Sequence, residues 1–453
     1  MTAIDSNVFD VDVLVIGAGI AGMTLAATAS QAGLAVAVIE ISSAIGGSAA
    51  LSEGYVWTAP DTEVFRNQDE KGNLEKFEIM LNALPEAFEW LESQGIEVGA
   101  TIKQVLGYGE GRQIDTPSFF HKTKISVERN GMILLNTEVE ELLDDGGKIV
   151  GASFKDNSTG EQGTIKASHT VIATGGFQAN PSLLNELLFP GAGDLTLRSN
   201  TDSKGGGIQL GRAVGVELTE DTHAFYGHLI PFPIKDFQPK EFALLAQYFS
   251  DHALIFNKQG KRFTDESLGD HINTNVVAKL GPVLLFVDGR VTRDQVTRAF
   301  IPGMDAINKM ERAGARGANY FSSATLEELC PVIESWGYDS KNFLTSIAEY
   351  NSAIKEDTEL IPPRTSNREQ LDEPPFAVLE IQAAITFTYK GLLTNPDGQA
   401  IVNGKPKEGL WIVGVDAGGL NQWGYTGGLV RGLSLGRRTA KIICAKMGEV
   451  NSK

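Results

Sequence analysis

Residues 13–22 read Val-Leu-Val-Ile-Gly-Ala-Gly-Ile-Ala-Gly, and this stretch decides the fold. An apolar strand runs into Gly17-x-Gly19-x-x-Gly22, with Ile20 and Ala21 inside the motif, and small residues at helical spacing follow over residues 23–31. Val36-Ala37-Val38-Ile39 reads as a second strand, and Glu40 closes it 18 positions after Gly22. That is close to the offset at which an acid grips a ribose hydroxyl in a dinucleotide-binding βαβ unit. Each glycine has a task there: a tight turn, close approach of backbone to a pyrophosphate, and packing of helix on strand. The helix N-terminus adds oriented N–H groups and partial positive charge for the phosphates. The glycine pattern alone is weak evidence. Strand, glycines, helix, strand and acid in this order predict an α/β fold built on a Rossmann-type unit.

The loop after Glu40 narrows the reading. It runs Ile41-Ser-Ser-Ala-Ile-Gly46-Gly47-Ser48-Ala-Ala-Leu-Ser52-Glu-Gly54. A paired-glycine, serine-rich loop has no role in simple nicotinamide dehydrogenases. It resembles the segment that wraps the flavin in FAD enzymes of the fumarate reductase and succinate dehydrogenase flavoprotein superfamily. Thr170-Val-Ile-Ala173-Thr174-Gly175-Gly176-Phe177 is similar to that family's strand and turn near the adenine side. Gly409-Leu-Trp-Ile-Val-Gly414-Val-Asp416 is similar to its C-terminal strand toward the ribityl chain, although the acid stands one place later than usual. The resemblance implies a glutathione-reductase-like FAD-binding domain with an inserted α+β capping domain. It implies FAD contacts at the residues just named, at Val139, at Gly206 and Gly207, and at Gly427, Gly428 and Leu429. The loop lacks the histidine by which some relatives tether the flavin, so the resemblance implies non-covalent FAD.

Composition agrees with such an enzyme. Lys and Arg number 39 against 57 Asp and Glu, a net charge of −18, which argues against nucleic acid as a partner. Two cysteines, Cys330 and Cys444, cannot form a disulfide framework and point to a reducing, cytoplasmic setting. No His, Cys and carboxylate set has zinc spacing. The first apolar run follows Asp5, Asp10 and Asp12 rather than basic residues, unlike a signal peptide. No stretch of about 18 apolar residues without charge predicts a membrane span.

Along the chain, residues 1–222 read as the first part of the FAD-binding domain, 223–378 as the capping, substrate-handling domain, and 379–453 as the second part of the FAD-binding domain. Residues 74–94 have helical spacing, residues 131–139 read as a strand, and residues 148–154 and 163–167 read as a hairpin. Polar Asp202-Ser-Lys precedes the glycines at 205–211, so the chain carries one Rossmann fingerprint. A dedicated nicotinamide domain is therefore not expected, and the electron donor or acceptor stays unidentified.

In the superfamily, hydride passes between flavin N5 and one carbon of an activated C–C bond, and a protein group moves the proton at the other. The fumarate-reducing members place an arginine four positions after a Gly-x-Arg-Phe-x-x-Glu stretch. Here Gly260-Lys-Arg262-Phe-Thr-Asp-Glu266 is followed by Asp270. Arg262 and Glu266 are expected to be a structural pair. A second family arginine has Tyr425 in its place, in Asn421-Gln-Trp423-Gly-Tyr425-Thr-Gly427-Gly428, and the family's substrate histidine falls near Thr386 or Phe387. All three diacid determinants are missing. Thr388-Tyr389-Lys390-Gly-Leu resembles a segment of 3-ketosteroid dehydrogenases, which use tyrosines as base and carbonyl polariser.

Tyr425, Tyr389, Tyr226 and His228 are thus the expected catalytic candidates, and Trp423, Lys390 and His223 the expected substrate contacts. The expected activity is that of an FAD-dependent oxidoreductase acting on CH–CH groups. It would desaturate or reduce a C–C bond beside the carbonyl of an apolar, cyclic or steroid-like substrate. An alternative is a flavin oxidase or dehydrogenase acting on C–N or C–O bonds. A phenol with an unperturbed pKa near 10 is a poor base at neutral pH, and Lys390 or the flavin is expected to lower it.

Overall fold

The computed structural model describes residues 8–220, 223–299 and 306–451. Its first strand, β1 (Val8–Ile16), ends in four consecutive buried residues. That pattern belongs to a parallel strand covered on both faces rather than to one with a wet face. β1 lies parallel to β2 (Val36–Ile39) on one side and to the strand Gln162–Ile172 on the other. The connecting helix α1 (Ile20–Gln31) buries every residue from Ile20 to Ser30. Only small side chains let a helix be enclosed on all sides in this way, which is why Ala, Gly, Ser and Thr fill it. The α/β architecture expected from residues 13–40 is the one observed.

The chain forms two compact units. Unit 1 comprises Met1–Gly193, Ser199–Phe225 and Phe387–Lys453. Among the described residues its main sheet has eight strands, ordered Gln399–Val402, Lys405–Ile412, Lys148–Asp156, Gln162–Ile172, β1, β2 and Met132–Leu134, with Thr137–Asp145 paired to Lys148–Asp156. The strand expected over residues 131–139 is in fact two. Met132–Leu134 runs parallel to β2, and Thr137–Asp145 turns away to run antiparallel to Lys148–Asp156. Asn136 makes the break at φ 52°, a left-handed conformation that asparagine tolerates better than most residues. The helix expected over 74–94 is Leu74–Ser93, started by the Asn73 side chain accepting from the Lys76 N–H. A smaller sheet joins Tyr55–Thr58, Gly109–Ile114 and Val98–Val105.

Unit 2 comprises Asp194–Arg198 and Tyr226–Thr386, so it is an insertion in the sequence of unit 1. Its sheet is organised on the long strand Phe376–Thr388, whose last two residues belong to unit 1. Val283–Val287 and Tyr320–Ser323 pair with it antiparallel, and Thr196–Leu197 pairs with it parallel. Arg262 and Glu266 form the expected structural pair. The guanidinium makes two bonds to the carboxylate, at 2.9 and 2.7 Å, and Arg364 adds a third at 3.3 Å. Glu266 is completely buried, so the two arginines are what allow its charge to be there.

Candidate functional site

The glycines of the first motif do different work. A Cβ on Gly17 would lie 2.4 Å from the Ala173 oxygen, and one on Gly22 would lie 1.9 Å from the Gly17 oxygen. Packing alone demands both. A Cβ on Gly19 would meet nothing within 4 Å. Gly19 therefore faces space that a ligand, not the protein, can fill. It also caps α1, which has no side-chain cap and no acid in its first turn. The N–H groups that begin at Ile20 and Ala21 are left for an anion. Beside them the Glu40 carboxylate is fixed by the N–H groups of Ala18 at 2.7 Å and Ser42 at 2.9 Å.

The following loop folds onto this cradle. The Gly46 N–H donates to the Ala18 oxygen at 3.0 Å. Gly46 and Gly47 take φ of 133° and 51°, where other residues are strained. The exposed Ser48 hydroxyl lies 3.2 Å from that of Ser199. The Ser52 hydroxyl is used locally, donating to the Ala49 oxygen and accepting from the Gly54 N–H. Gly54 is explained by packing, since its Cβ would come 2.4 Å from the Ile114 oxygen. Ile41 is exposed, and Val139 is half-buried on the strand whose first N–H, that of Thr137, donates to the Glu40 oxygen.

Asp416 closes the other end. Its carboxylate accepts from the Thr174 hydroxyl at 3.1 Å and from the Gly175 N–H at 2.7 Å, next to Ala173. The same hydroxyl accepts from the Gly207 N–H at 2.9 Å. A Cβ on Gly207 would strike the Asp416 carboxylate, whereas one on Gly206 would meet nothing. Burial pushes the Asp416 carboxyl up to about 7, against the pull of the Gly175 N–H. An open Gly19, an uncapped helix start, a fixed acid at Glu40 and a second open glycine at Gly206 fit FAD, with α1 to hold its phosphates.

Three phenols gather in unit 1. Tyr389 is buried, and its hydroxyl has no hydrogen-bond partner among the described residues. The Tyr425 phenol oxygen accepts the Gly428 N–H at 3.1 Å, and the Tyr425 backbone oxygen accepts the hydroxyl of Tyr108. Trp57 packs edge-on against Tyr425 at 5.1 Å and Tyr108 at 6.0 Å, and Phe387 lies 5.8 Å from Tyr425 and 5.9 Å from Tyr389. Gly427 lets this chain pass, because a Cβ there would lie 1.9 Å from the Trp57 oxygen. Gly428 and Leu429 follow, half-buried.

Burial holds the phenols of Tyr389 and Tyr108 well above the usual tyrosine range. Both therefore carry their protons at neutral pH: Tyr108 donates to the Tyr425 oxygen, and the proton of Tyr389 is unused by the protein. The cation that opposes this shift at Tyr389 is Arg431 rather than the expected Lys390, and burial outweighs it. Lys390 itself is half-buried. Asp69 sets the approach to Tyr425: its carboxylate accepts the N–H groups of Gln422 at 2.7 Å and Trp423 at 3.2 Å. Trp423 is held by its backbone, while its side chain is 40% exposed.

In unit 2, Tyr226 and His228 lie on the strand Phe225–Pro231. The His228 Nδ1 pairs with the Asp270 carboxylate, which also accepts the Leu229 N–H at 2.7 Å. The position where diacid reducers have an arginine thus orients a histidine. A carboxylate at Nδ1 keeps the proton there and leaves Nε2 as a lone pair. Burial, helped by the charge of Arg198, holds His228 below its usual range, so it is neutral at pH 7. The rings of Tyr226 and Tyr248 stand 4.9 and 5.1 Å from it. Arg198 donates to the Thr386 hydroxyl at 3.2 Å and to the Phe242 oxygen at 2.9 Å. His223 belongs to unit 1 and is exposed.

Sequence reasoning did not single out Tyr108, Asp69, Arg431, Arg198 or Tyr248. Tyr108 alone had a local signal, as an aromatic residue between two glycines in Gly107-Tyr-Gly109. No group of three or more potential metal ligands occurs among the described residues. No helix among them is long and apolar enough to cross a membrane.

Residues 12–429 match the family described as FAD binding domain. The chain is 24% identical to NADH:fumarate oxidoreductase of Klebsiella pneumoniae (strain 342), over 95% of this chain and 48% of that protein. It thus spans about half the length of that relative. It is 23% identical to 4-oxocyclohex-2-ene-1-carboxylate 5-dehydrogenase of Sinomonas cyclohexanicum, over 96% of this chain and 94% of that protein. Among solved structures, the 3-ketosteroid delta1-dehydrogenase from Sterolibacterium denitrificans, in complex with 1,4-androstadiene-3,17-dione, superposes with a TM-score of 0.75. The identity there is 16%, covering 96% of this chain and all of that one, and it shows the shared fold. The chain belongs to the FAD binding domain family, and FAD is its cofactor.

Proposed function

We propose that this family member is an oxidoreductase acting on a C–C bond next to a carbonyl, in an apolar cyclic substrate such as an enone or a steroid-like ketone. The observation that carries the reading is the cluster of Tyr108, Tyr389 and Tyr425, walled by Trp57 and Phe387, in which the Tyr389 hydroxyl is buried without a partner. A buried hydroxyl left unpaired is costly, and a substrate carbonyl oxygen would satisfy it. FAD, when bound, supplies the hydride acceptor or donor. Tyr389 donates its proton toward the carbonyl oxygen, which draws electron density from the adjacent bond. Tyr425 exchanges the proton at the α-carbon. Trp57 and Phe387 keep water away and offer apolar surface to a ring.

We assign substrate handling to unit 2, as a capping domain. His228, held in one tautomer by Asp270, is its candidate proton carrier, with Tyr226 beside it. The names of the relatives support this reading, since one acts on an oxocyclohexene and another on a 3-ketosteroid. The free thiols Cys330 and Cys444 suit a reducing, cytoplasmic setting.

The test is anaerobic mixing of the holoprotein with a panel of cyclic enones and saturated cyclic ketones, following flavin colour. Bleaching by a saturated ketone, or re-oxidation of the reduced protein by an enone, is expected. Tyr389→Phe should slow it by about 10²–10⁴-fold. Reaction with amines or alcohols alone would sink the proposal.

A further inference from the structure

We propose that Arg198 and Thr386 of unit 2 bind a carboxylate carried by the substrate, so that the preferred substrate is a cyclic keto compound with one acidic substituent. The proposal deepens the reading above and rests on its assignment of substrate handling to unit 2.

Arg198 follows the short strand Thr196–Leu197. Its backbone N–H donates to the Ile385 oxygen at 2.8 Å, which extends the pairing with the long strand Phe376–Thr388. The side chain thereby meets that of Thr386, one residue further along that strand. Arg198 is 7% exposed, and a guanidinium does not lose its proton in a protein. A buried charge is normally matched by a counter-charge. All the partners of Arg198 among the described residues are neutral: the Phe242 oxygen and ring, the Thr386 hydroxyl and the Tyr248 hydroxyl. Arg364, also buried in unit 2, bonds the Glu266 carboxylate instead. Asp270 gives Arg198 no such bond, being taken by His228 and the Leu229 N–H.

The donors are set out for an anion. A guanidinium has five N–H groups, one on Nε and two on each Nη. The Phe242 oxygen takes two of them, from Nε at 3.3 Å and Nη2 at 2.9 Å. The Tyr248 hydroxyl stands 3.5 Å from Nη2, and the Thr386 Oγ1 accepts from Nη1 at 3.2 Å. The second N–H of Nη1 is left over. So is the Thr386 hydroxyl proton, because that hydroxyl accepts from Arg198 and donates to nothing among the described residues. The two unspent donors sit on atoms 3.2 Å apart, a spacing at which the two oxygens of one carboxylate can take one each. Thr386, Tyr248 and Phe242 are all half-buried, so the cation is not sealed into the core.

The surroundings point to a group on the substrate rather than a free ion. The Tyr248 ring, whose hydroxyl stands at Arg198, lies 5.1 Å from that of His228, the candidate proton carrier. The charge of Arg198 reaches His228 as well, adding to burial in keeping that imidazole neutral. A carboxylate at Arg198 would therefore anchor a ring within the cluster that handles the proton. One guanidinium matches one carboxylate, which separates this site from a grip on a diacid.

The experiment reads binding apart from turnover. The oxidised, FAD-loaded protein is titrated by calorimetry with cyclohexanecarboxylate, which has no ketone or enone to react, and with its methyl ester. The acid should bind about tenfold or more tighter than the ester, as charge-assisted hydrogen bonds require. Arg198→Met should erase that difference, and Thr386→Val should weaken the acid several-fold while leaving the ester unchanged. Acetate, which lacks the ring, should compete poorly. In turnover, 3-oxocyclohex-1-ene-1-carboxylate should re-oxidise the reduced protein with a KM about tenfold or more below that of cyclohex-2-enone. Equal binding of acid and ester, unchanged acid binding in Arg198→Met, acetate competing as well as the ring acid, or no KM advantage for the acidic enone would overturn the proposal. If Arg198→Met fails to fold, Thr386→Val and the contrast between acid and ester decide. If the acid binds as expected but no enone or ketone reacts, the reaction proposed above fails and the carboxylate site stands.

Discussion

Replacing Gly19 with valine separates cofactor binding from folding. The Gly19 backbone has φ −74° and ψ −175°, which any residue adopts, and a Cβ there meets no protein atom within 4 Å. Losing glycine at a helix cap costs a few tenths to about 1 kcal/mol, and the stiffer unfolded chain returns about 0.4–1 kcal/mol. The apoprotein should therefore melt within a few degrees of wild type. The cofactor faces a different situation. A branched side chain would occupy the space through which a pyrophosphate reaches the N–H groups at the start of α1. Hydrogen bonds to charged groups contribute about 1.5–3 kcal/mol each. Loss of two would weaken FAD by about 3–6 kcal/mol, or roughly 10²–10⁴-fold.

The assay is titration of apoprotein with FAD by flavin fluorescence, alongside thermal unfolding of the apo forms. Gly22→Ala serves as the contrast. Its Cβ would sit 1.9 Å from a backbone oxygen, so it should damage the fold itself. A Gly19→Val protein that binds FAD as tightly as wild type would show that the phosphates do not lie at α1. One that cannot fold would show that the open space had been misjudged.

Tyr425→Phe should lower kcat by about 10²–10⁴-fold. It should also cost about 1 kcal/mol of stability, because the phenol oxygen accepts the Gly428 N–H; full turnover in that variant would make Tyr425 a packing residue. Asp416 gives a pH signature in the apoprotein. Its folded carboxyl titrates near 7 against 3.8 when free, so ionising it in place costs up to about 4 kcal/mol at about 1.4 kcal/mol per pH unit. The penalty is absent below about pH 4, grows up to about pH 7, and is constant above that. Asp416→Asn should remove this part of the decline, and identical pH profiles for the two proteins would refute it. Denaturation should release all flavin colour, and colour left on the precipitated chain would disprove non-covalent binding. Succinate and fumarate should turn over very poorly, because Asp270 and Tyr425 offer no positive charge to a diacid; efficient fumarate reduction would overturn the substrate class.

The cofactor side of the molecule was legible in sequence because its determinants are local. Gly17, Gly19, Gly22 and Glu40 lie within one strand–helix–strand unit, and hydrophobic periodicity places each of them. Periodicity could not see Asn136, which splits one apolar run into a parallel and an antiparallel strand by its backbone conformation. The candidate active site was less legible because it is assembled over long separations. Tyr108 meets the Tyr425 backbone across 317 positions, and Asp69 holds Gln422 across 353. Nothing near Tyr108 or Asp69 in the chain marks them as partners of the C-terminal loop.

Asp270 shows a different limit. Read along the chain, it registers as a missing arginine. In the fold it is the buried partner of His228, 42 positions away. A buried carboxylate needs hydrogen-bonding neighbours. His228 and the Leu229 N–H are those neighbours. The position at which the family resemblance implies a proton-delivering arginine here fixes an imidazole instead. Asp270→Asn should therefore leave His228 present but free in its choice of tautomer. It should flatten the pH profile of turnover more than it weakens substrate binding, if His228 carries a proton in the reaction. An unchanged profile would reduce the pair to packing in unit 2.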